Sequence, residues 1–179
     1  MEEVEVKILD IDTPGVIARL EALGAKKSFE GPIEALYYDF PDGRLRRGKK
    51  VLRIRKKGEI CEIVLKEKIP NTEAKINIEH ETTFPPPDFE SMKKILLAAG
   101  LVVTQSQEKQ RTTYSLGDIH AEIDEFPGIP PLLEIEATSV EKMKEFVLRL
   151  GFTMADTKPW SGKDVLEHYS RGESGLHKK

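Results

Sequence analysis

Charged and apolar residues alternate with a period of two along most of the predicted strands of this 179-residue chain. The pattern is clearest in residues 3–9, EVEVKIL, where Glu3, Glu5 and Lys7 alternate with valines and an isoleucine. Successive side chains of a β-strand point to opposite faces of the sheet, so this segment is predicted to be a strand with one apolar and one charged face. In an antiparallel sheet, a charged face of this kind is ordinarily solvated.

The same parity recurs in six further segments. Their charged faces carry Arg53 and Arg55, Glu62 and Lys66, Lys75 to Glu81, Lys109 and Arg111, His120 to Asp124, and Glu134 with Glu136. A solvated face would normally mix in Thr, Ser and Gln, but these faces consist almost entirely of ionisable residues. Amphipathic helices over the apolar faces would instead close the sheet into a barrel with a polar lumen, where charges are costly unless they pair or bind a ligand. An open sheet with solvated charges is the alternative.

The composition narrows the class of protein. Charged residues make up 33% of the chain but the net charge is −3, which argues against a general nucleic-acid binder. A single cysteine, Cys61, excludes a disulfide framework. No apolar run approaches the roughly 20 residues that a membrane-spanning helix needs. The first residues read as a strand rather than a signal segment, so a cytoplasmic protein without membrane or nucleic-acid partners is expected.

Turn and helix signals divide the chain into about eight strands and four helices. The predicted helices begin at Thr13-Pro14, with Thr13 as N-cap, then after Asp88, and near residues 140 and 161. The predicted strands cover residues 3–9, 33–40, 50–57, 60–68, 74–84, 101–116, 120–126 and 132–137. Short turns between strands favour antiparallel pairing and an α+β fold built on an antiparallel sheet or barrel.

Two similar strand-and-helix halves are predicted, joined at the proline run of residues 85–87. The whole of residues 1–169 is expected to form one domain. Residues 170–179 are expected to be a disordered tail.

Six motifs in order resemble the CYTH superfamily, also called triphosphate tunnel metalloenzymes. The first is Glu3-x-Glu5-x-Lys7, and the second is the stretch of residues 37–58, YYDFPDGRLRRGKKVLRIRKKG. The other four motifs are Lys66, Lys109-x-Arg111, Asp124 and Glu134-x-Glu136. The order and spacing fit over residues 1 to about 169, and the opening ILDID is most similar to the branch labelled class IV adenylate cyclase.

This resemblance implies a closed eight-stranded antiparallel β-barrel with helices outside and a lumen that binds a triphosphate. The residues implied to hold one or two Mg²⁺ or Mn²⁺ ions are Glu3, Glu5, Asp124, Glu134 and Glu136. Those implied to bind phosphates are Lys7, Arg53, Arg55, Lys66, Lys109 and Arg111. Lys7, Glu5 and Glu134 are the predicted catalytic residues. The implied partner is a small-molecule triphosphate, with the chain a monomer or a homodimer.

Several conspicuous residues receive no role in the predicted site. The resemblance leaves Glu79, Glu81 and Lys158 unassigned. His120 shares the parity of Asp124 but lies near a strand end, so a surface role is favoured. Cys61 falls on an apolar face and is predicted to be core. Trp160 is predicted to pack a lid or close one end of the barrel.

Three functions fit such a tunnel. The first is metal-dependent hydrolysis of a phosphoanhydride bond in inorganic or organic triphosphate, by in-line attack of water. The second is adenylate cyclase, in which the ribose 3′-hydroxyl of ATP attacks the α-phosphate and pyrophosphate leaves. The third is a non-catalytic polyphosphate-binding module, which would not need the carboxylates. Hydrolysis is favoured because the sequence shows no clear adenine pocket.

Overall fold

The structure is a computed structural model that describes residues 2–173. Its strands are Glu2–Ile8 (β1), Lys26–Asp39 (β2), Lys50–Lys57 (β3), Ile60–Ile69 (β4), Lys75–Phe84 (β5), Val102–Leu116 (β6), Ile119–Glu125 (β7), Leu132–Ala137 (β8) and Thr157–Lys158 (β9). Its α-helices are Thr13–Ala22 (α1), Arg44–Arg47 (α2), Phe89–Ala98 (α3), Val140–Arg149 (α4) and Gly162–Glu173 (α5). None of these helices is both long and apolar enough to cross a membrane.

Eight strands close into an antiparallel barrel, as predicted. The order is β5-β4-β3-β2-β6-β7-β8-β1, and pairing of β1 with β5 completes the ring. β1 pairs with β8 over residues 4–8, while its residues 2–5 pair with β5 and residues 7–8 pair with the two-residue β9. Closure leaves the barrel without the unpaired edge strands of an open sheet.

The barrel is built from two β-α-β-β-β units. The first unit is β1-α1-β2-β3-β4 and the second is β5-α3-β6-β7-β8, with α2 as a short addition to the first. Matching strands pair across the ring, β1 with β5 and β2 with β6. The predicted repeat is therefore present, but its boundary lies in residues 70–74, before β5. The proline run instead leads into a short 3-10 helix, Pro86–Asp88, directly before α3 inside the second unit, because proline fits the beginning of a helix.

The outward-facing side of the barrel, called the outer wall here, is apolar and lies under helices. Val4 and Val6 of β1 pack with Leu20 of α1 and with Met143 and Phe146 of α4. On the other side of the barrel, α3 covers a second apolar cluster. That cluster contains Leu36, Tyr38, Ile54, Cys61, Phe89 and Leu96. Cys61 is fully buried there and is a core residue, as predicted.

A few predicted boundaries are wrong. Asp12, not Thr13, is the N-cap of α1, and Pro14 therefore sits one position further into the first turn. β2 begins at Lys26 rather than at residue 33, since its polar first half is held by pairing with β6. α5 continues through residue 173, so residues 170–173 are helical, and the rest of the expected tail, residues 174–179, lies outside the described residues.

Candidate active site in the barrel lumen

The barrel encloses a cavity of about 770 Å³, here called the lumen. Every residue of the predicted site lines it: Glu3, Glu5, Lys7, Arg53, Arg55, Lys66, Lys109, Arg111, Asp124, Glu134 and Glu136. Strand parity explains this, because the register pairs Glu5 with Glu136 and Lys7 with Glu134 between β1 and β8. The solvated open sheet is thereby excluded.

Lys7 joins two carboxylates in the lumen. Its Nζ lies 2.8 Å from Glu5 Oε1 and 2.6 Å from Glu134 Oε2, and Lys75 Nζ lies 2.7 Å from the same oxygen of Glu5. Burial would raise the pKa of Glu5, but Lys7 and Lys75 outweigh it and lower that pKa. Burial also disfavours the charged form of Lys7, yet the two carboxylates raise its pKa, so Lys7 stays cationic.

A second network links β1, β4 and β5. Lys66 Nζ donates to both carboxylate oxygens of Glu3, at 2.9 and 2.8 Å, and Asn77 Nδ2 donates to Glu3 Oε2 at 3.0 Å. Lys66 also contacts Glu79. Glu79 and Glu81, which had no assigned role, both line the lumen.

The third network is centred on Asp124 of β7. Arg111 grips this carboxylate through two bonds, Nε to Oδ1 at 2.6 Å and Nη2 to Oδ2 at 2.7 Å, and Lys109 Nζ donates to Oδ2 at 2.6 Å. Burial would raise the pKa of Asp124, but Arg111 and Lys109 lower it. Burial and the neighbouring Arg111 lower the pKa of Lys109, which makes this ammonium readier than an ordinary lysine to release its proton.

Three carboxylates converge where β7 meets β8. One ligand oxygen each from Glu122, Glu134 and Glu136 lies within 4.8 Å of the others. Burial, together with the charges of Glu3 and Glu122, raises the pKa of Glu136 to about 9. In contrast, Lys7 and Arg111 overcome the effect of burial on Glu134 and hold its pKa well below the usual range. The cluster therefore carries more carboxylate than its neighbouring cations neutralise.

These three side chains fit a divalent cation. A carboxylate that must stay protonated at neutral pH for lack of a counter-charge is a position where a cation would be stabilised. Hard oxygen ligands suit Mg²⁺ or Mn²⁺ better than metals that prefer sulfur or nitrogen. The predicted ligands Glu134 and Glu136 belong to this cluster. Glu122 was missed as a ligand, although its parity placed it on the charged face.

The predicted ligands Glu3, Glu5 and Asp124 lie in the same lumen and, like Glu134 with Lys7, are engaged with cations. Their partners are Lys66, Lys7 with Lys75, and Arg111 with Lys109. Each of them would have to exchange a cation for a metal ion in order to act as a ligand. Their assignment as metal ligands stays a prediction.

Two uncharged residues in the lumen were also missed. Tyr37 of β2 faces Arg53 of β3 across the sheet, and its hydroxyl donates to Gln107 Oε1 at 2.9 Å. Arg53 Nε is buried and has no hydrogen-bond partner within the described residues. Arg55, in contrast, contacts Glu62. Alternating charge could not reveal Tyr37 and Gln107, because neither carries a formal charge.

One opening of the lumen, called the mouth here, lies between α2 and α5. Asp39, at the end of β2, accepts hydrogen bonds from the backbone N–H groups of Phe40, Leu45 and Arg46 and so holds the loop before α2. On the other side, Val165 of α5 packs with Phe126 and Leu132, and the half-buried Trp160 packs against the same cluster. This position of Trp160 agrees with its predicted place at a barrel end.

The remaining residues of uncertain role lie outside the lumen. Among the described residues, His120 and Lys158 are not part of its lining. His120 Nδ1 lies 3.0 Å from Ser115 Oγ near the start of β7, and Lys158 pairs in register with Lys7 through β9.

Comparison with known proteins agrees with this architecture. The sequence matches the family described as the CYTH domain over residues 1–150. A Methanocaldococcus jannaschii protein named "Putative adenylate cyclase" is 31% identical over 143 residues, which cover 76% of this chain and 77% of the relative.

Solved structures share the fold at lower identity. The PH1012 protein of Pyrococcus horikoshii superposes with a TM-score of 0.74 at 24% identity, covering 89% of this chain and 96% of that one. A Vibrio parahaemolyticus protein described as a "putative adenylate cyclase" superposes with a TM-score of 0.79 at 20% identity, covering 92% of this chain and 97% of that one. A "Putative adenylyl cyclase" from Hippeastrum is described as having a dominant triphosphatase activity. It superposes with a TM-score of 0.67 at 17% identity, covering 93% of this chain and 95% of that one. With its tunnel, its paired lumen charges and this family match, the chain belongs to the CYTH family.

Proposed function

We propose that this CYTH protein is a divalent-metal-dependent triphosphatase that hydrolyses a phosphoanhydride bond of a triphosphate held in the lumen. The observation that carries the proposal is the pairing of cations with carboxylates around one cavity of about 770 Å³. A metal–triphosphate complex supplies both charge signs at once. The phosphates of the complex can bind the lumen cations, and its metal ion can bind the lumen carboxylates. Each charged side chain then exchanges one partner of opposite charge for another, and none is left buried without a partner.

The lumen cations differ in whether they must release a carboxylate before they can bind phosphate. Arg53 has a buried Nε without a hydrogen-bond partner among the described residues, so this donor could bind a phosphate oxygen without first releasing a carboxylate. Arg55, Lys66 and Arg111 must release Glu62, Glu3 and Asp124 before they bind it. Lys7 stays positively charged and would stabilise negative charge that develops on the phosphates during attack.

The carboxylates would hold the metal. Glu134 and Glu136, together with Glu122, would hold Mg²⁺ or Mn²⁺ in this proposal. When bound, such an ion neutralises phosphate charge and lowers the pKa of a coordinated water. In its neutral amine form, which burial and Arg111 favour by lowering its pKa, Lys109 would accept the proton that the attacking water loses. The assignment of Glu5 and Glu134 as catalytic residues is kept as part of the proposal.

Cyclisation of ATP to cyclic AMP and pyrophosphate is the second candidate. The mouth offers apolar side chains, among them Phe40, Phe126 and Leu166, against which a base could pack. Hydrolysis ranks first because the lumen charges suffice for it. Cyclisation further requires groups that hold the ribose with its 3′-hydroxyl facing the α-phosphorus. The names of the relatives include both activities, so family membership does not choose between them.

One assay separates the candidates. The protein is incubated with Mg²⁺ or Mn²⁺ and either inorganic triphosphate or ATP, and phosphate, ADP, pyrophosphate and cyclic AMP are resolved. Release of phosphate that ceases in excess EDTA supports the triphosphatase. Cyclic AMP with stoichiometric pyrophosphate supports the cyclase. Binding without any product would leave the polyphosphate-binding module, and turnover undiminished in EDTA would refute metal dependence.

A further inference from the structure

Two adjacent tyrosines on β2 lie in opposite environments. Tyr37 points into the lumen, where its hydroxyl donates to Gln107 Oε1 at 2.9 Å. The ring of Tyr38 packs in the apolar cluster under α3, and its buried hydroxyl has no hydrogen-bond partner among the described residues. Both residues border the lumen, but the ring of Tyr38 lies in the apolar cluster, so Tyr37 is the one of this pair whose hydroxyl can meet a ligand there.

The surroundings of Tyr37 are those of an anion site. Arg53 pairs with it in the β2–β3 register, and both residues line the lumen. Burial would raise the pKa of Tyr37, but Arg53 and Lys109 outweigh it and lower that pKa. The other three of the chain's four tyrosines, Tyr38, Tyr114 and Tyr169, have pKa values raised, first of all by burial. A phenol with lowered pKa is a stronger hydrogen-bond donor to an anion than an ordinary tyrosine.

The present acceptor of the Tyr37 hydroxyl is a weak one. Gln107 offers a neutral amide oxygen, whereas a phosphate oxygen is charged and accepts a hydrogen bond about twice as strong. The buried Nε of Arg53 has no hydrogen-bond partner among the described residues, and such an oxygen would satisfy it. A phosphate bound by Arg53 would lie beside the phenol, because Tyr37 and Arg53 are register partners on β2 and β3 and line the same lumen.

We propose that Tyr37 is a substrate-binding residue, whose hydroxyl leaves Gln107 and donates to a phosphate oxygen bound by Arg53. The inference rests on the proposed function, since it assumes that a triphosphate occupies the lumen. It assigns to the phosphate site an uncharged residue that alternating charge does not predict. No covalent step is involved, and the phenol keeps its proton throughout.

The test compares Tyr37→Phe with Tyr38→Phe, which removes the same hydroxyl one residue away on the outer wall. With Mg²⁺ and inorganic triphosphate, Tyr37→Phe should lower kcat/KM about tenfold to a hundredfold, mainly through KM, the usual effect of losing a hydrogen bond to a charged group. Tyr38→Phe should equal the wild type. Equal kcat/KM for Tyr37→Phe and wild type would overturn the inference while leaving the proposed function intact.

An alkaline absorbance titration gives a second readout, the pKa of the Tyr37 phenol. Adding triphosphate would not change this pKa if Tyr37 had only a structural role. One phenol should ionise below the usual tyrosine range in the wild type and in Tyr38→Phe, and be missing in Tyr37→Phe. Mg²⁺ with inorganic triphosphate should raise its pKa, because the phosphate charge opposes phenolate; an unchanged pKa contradicts the inference. Wild type that neither turns over triphosphate nor gains thermal stability from it would overturn the proposed function and this inference together.

Discussion

The two faces of β1 are about equally buried but chemically opposite. In β1, Glu5 and Lys7 on the lumen face are 2% and 3% exposed, and Val4 and Val6 on the outer wall are 0% exposed. Burial of valine stabilises the fold, at about 25 cal/mol per Å² of apolar area. Burial of ion pairs stabilises a fold little, since desolvation offsets their attraction. The outer wall therefore accounts for the stability of the barrel, and the lumen is explained by what it binds.

The largest effect on stability should come from the outer wall. Phe146→Ala removes a 1% exposed side chain of α4 from the apolar cluster and should lower the free energy of unfolding by about 3–5 kcal/mol. Leu148→Ala, on the same helix at 60% exposure, is the matched control and should change it little. Denaturant unfolding measures both. A Phe146→Ala protein as stable as the control would contradict the division of roles between the two faces.

The next largest effect is expected from substitutions in the lumen, which should change kcat and KM. Glu134→Gln removes a charge from the carboxylate cluster and should mainly lower kcat, with part of the loss recovered at high Mn²⁺. Arg55→Ala should raise KM, because it removes one charge-assisted hydrogen bond to phosphate. The loss of about 1.5–3 kcal/mol corresponds to a change of about tenfold to a hundredfold in KM. Steady-state kinetics across a metal titration separates them. Metal rescue of Arg55→Ala but not of Glu134→Gln would show that the roles are reversed.

A smaller effect distinguishes two carboxylates of the lumen by pH. The pKa of Glu136 is raised from 4.5 to about 9 in the folded protein, so its contribution to stability is present below about pH 4.5 and is lost as the pH rises through about 9. In EDTA, Glu136→Gln should therefore gain stability over wild type between those pH values.

Glu134 is the matched control for this pH effect. Its pKa is lowered, so its contribution is present above pH 4.5 and is lost as the pH falls through the lowered folded-state value. Glu134→Gln should therefore be less stable than wild type at neutral pH. Melting temperatures across the pH range measure both variants, and the same pH trend in the two would contradict the assigned electrostatics.

The fold was predictable because its signal is local. Period-two alternation marks which face of each strand is charged, and that parity places Glu5, Arg53 and Glu134 in one lumen. The pattern fails where a strand is polar on both faces. Residues 26–31 carry no apolar alternation, and their strand forms through the partner that β6 supplies.

Only those site residues could be predicted that follow the charge alternation or belong to a family motif. The cluster of Glu122 with Glu134 arises from the register between β7 and β8, a tertiary fact that one sequence does not contain. Tyr37 and Gln107 become visible as lumen residues only once β2 and β6 are paired. Which carboxylates are neutralised by cations, as Glu5 is and Glu136 is not, likewise depends on distances across the barrel.

The central claim is that the lumen charges exchange their partners for a metal ion and a triphosphate together. The most direct test is the shift in melting temperature caused by Mg²⁺ alone, by inorganic triphosphate alone and by both. Binding to the folded state stabilises it by about 2.7 kcal/mol at a ligand concentration a hundred times Kd. Partner exchange predicts a shift with both ligands that clearly exceeds the sum of the separate shifts, because each ligand frees the residues that the other binds. Additive shifts, or none, would contradict the account.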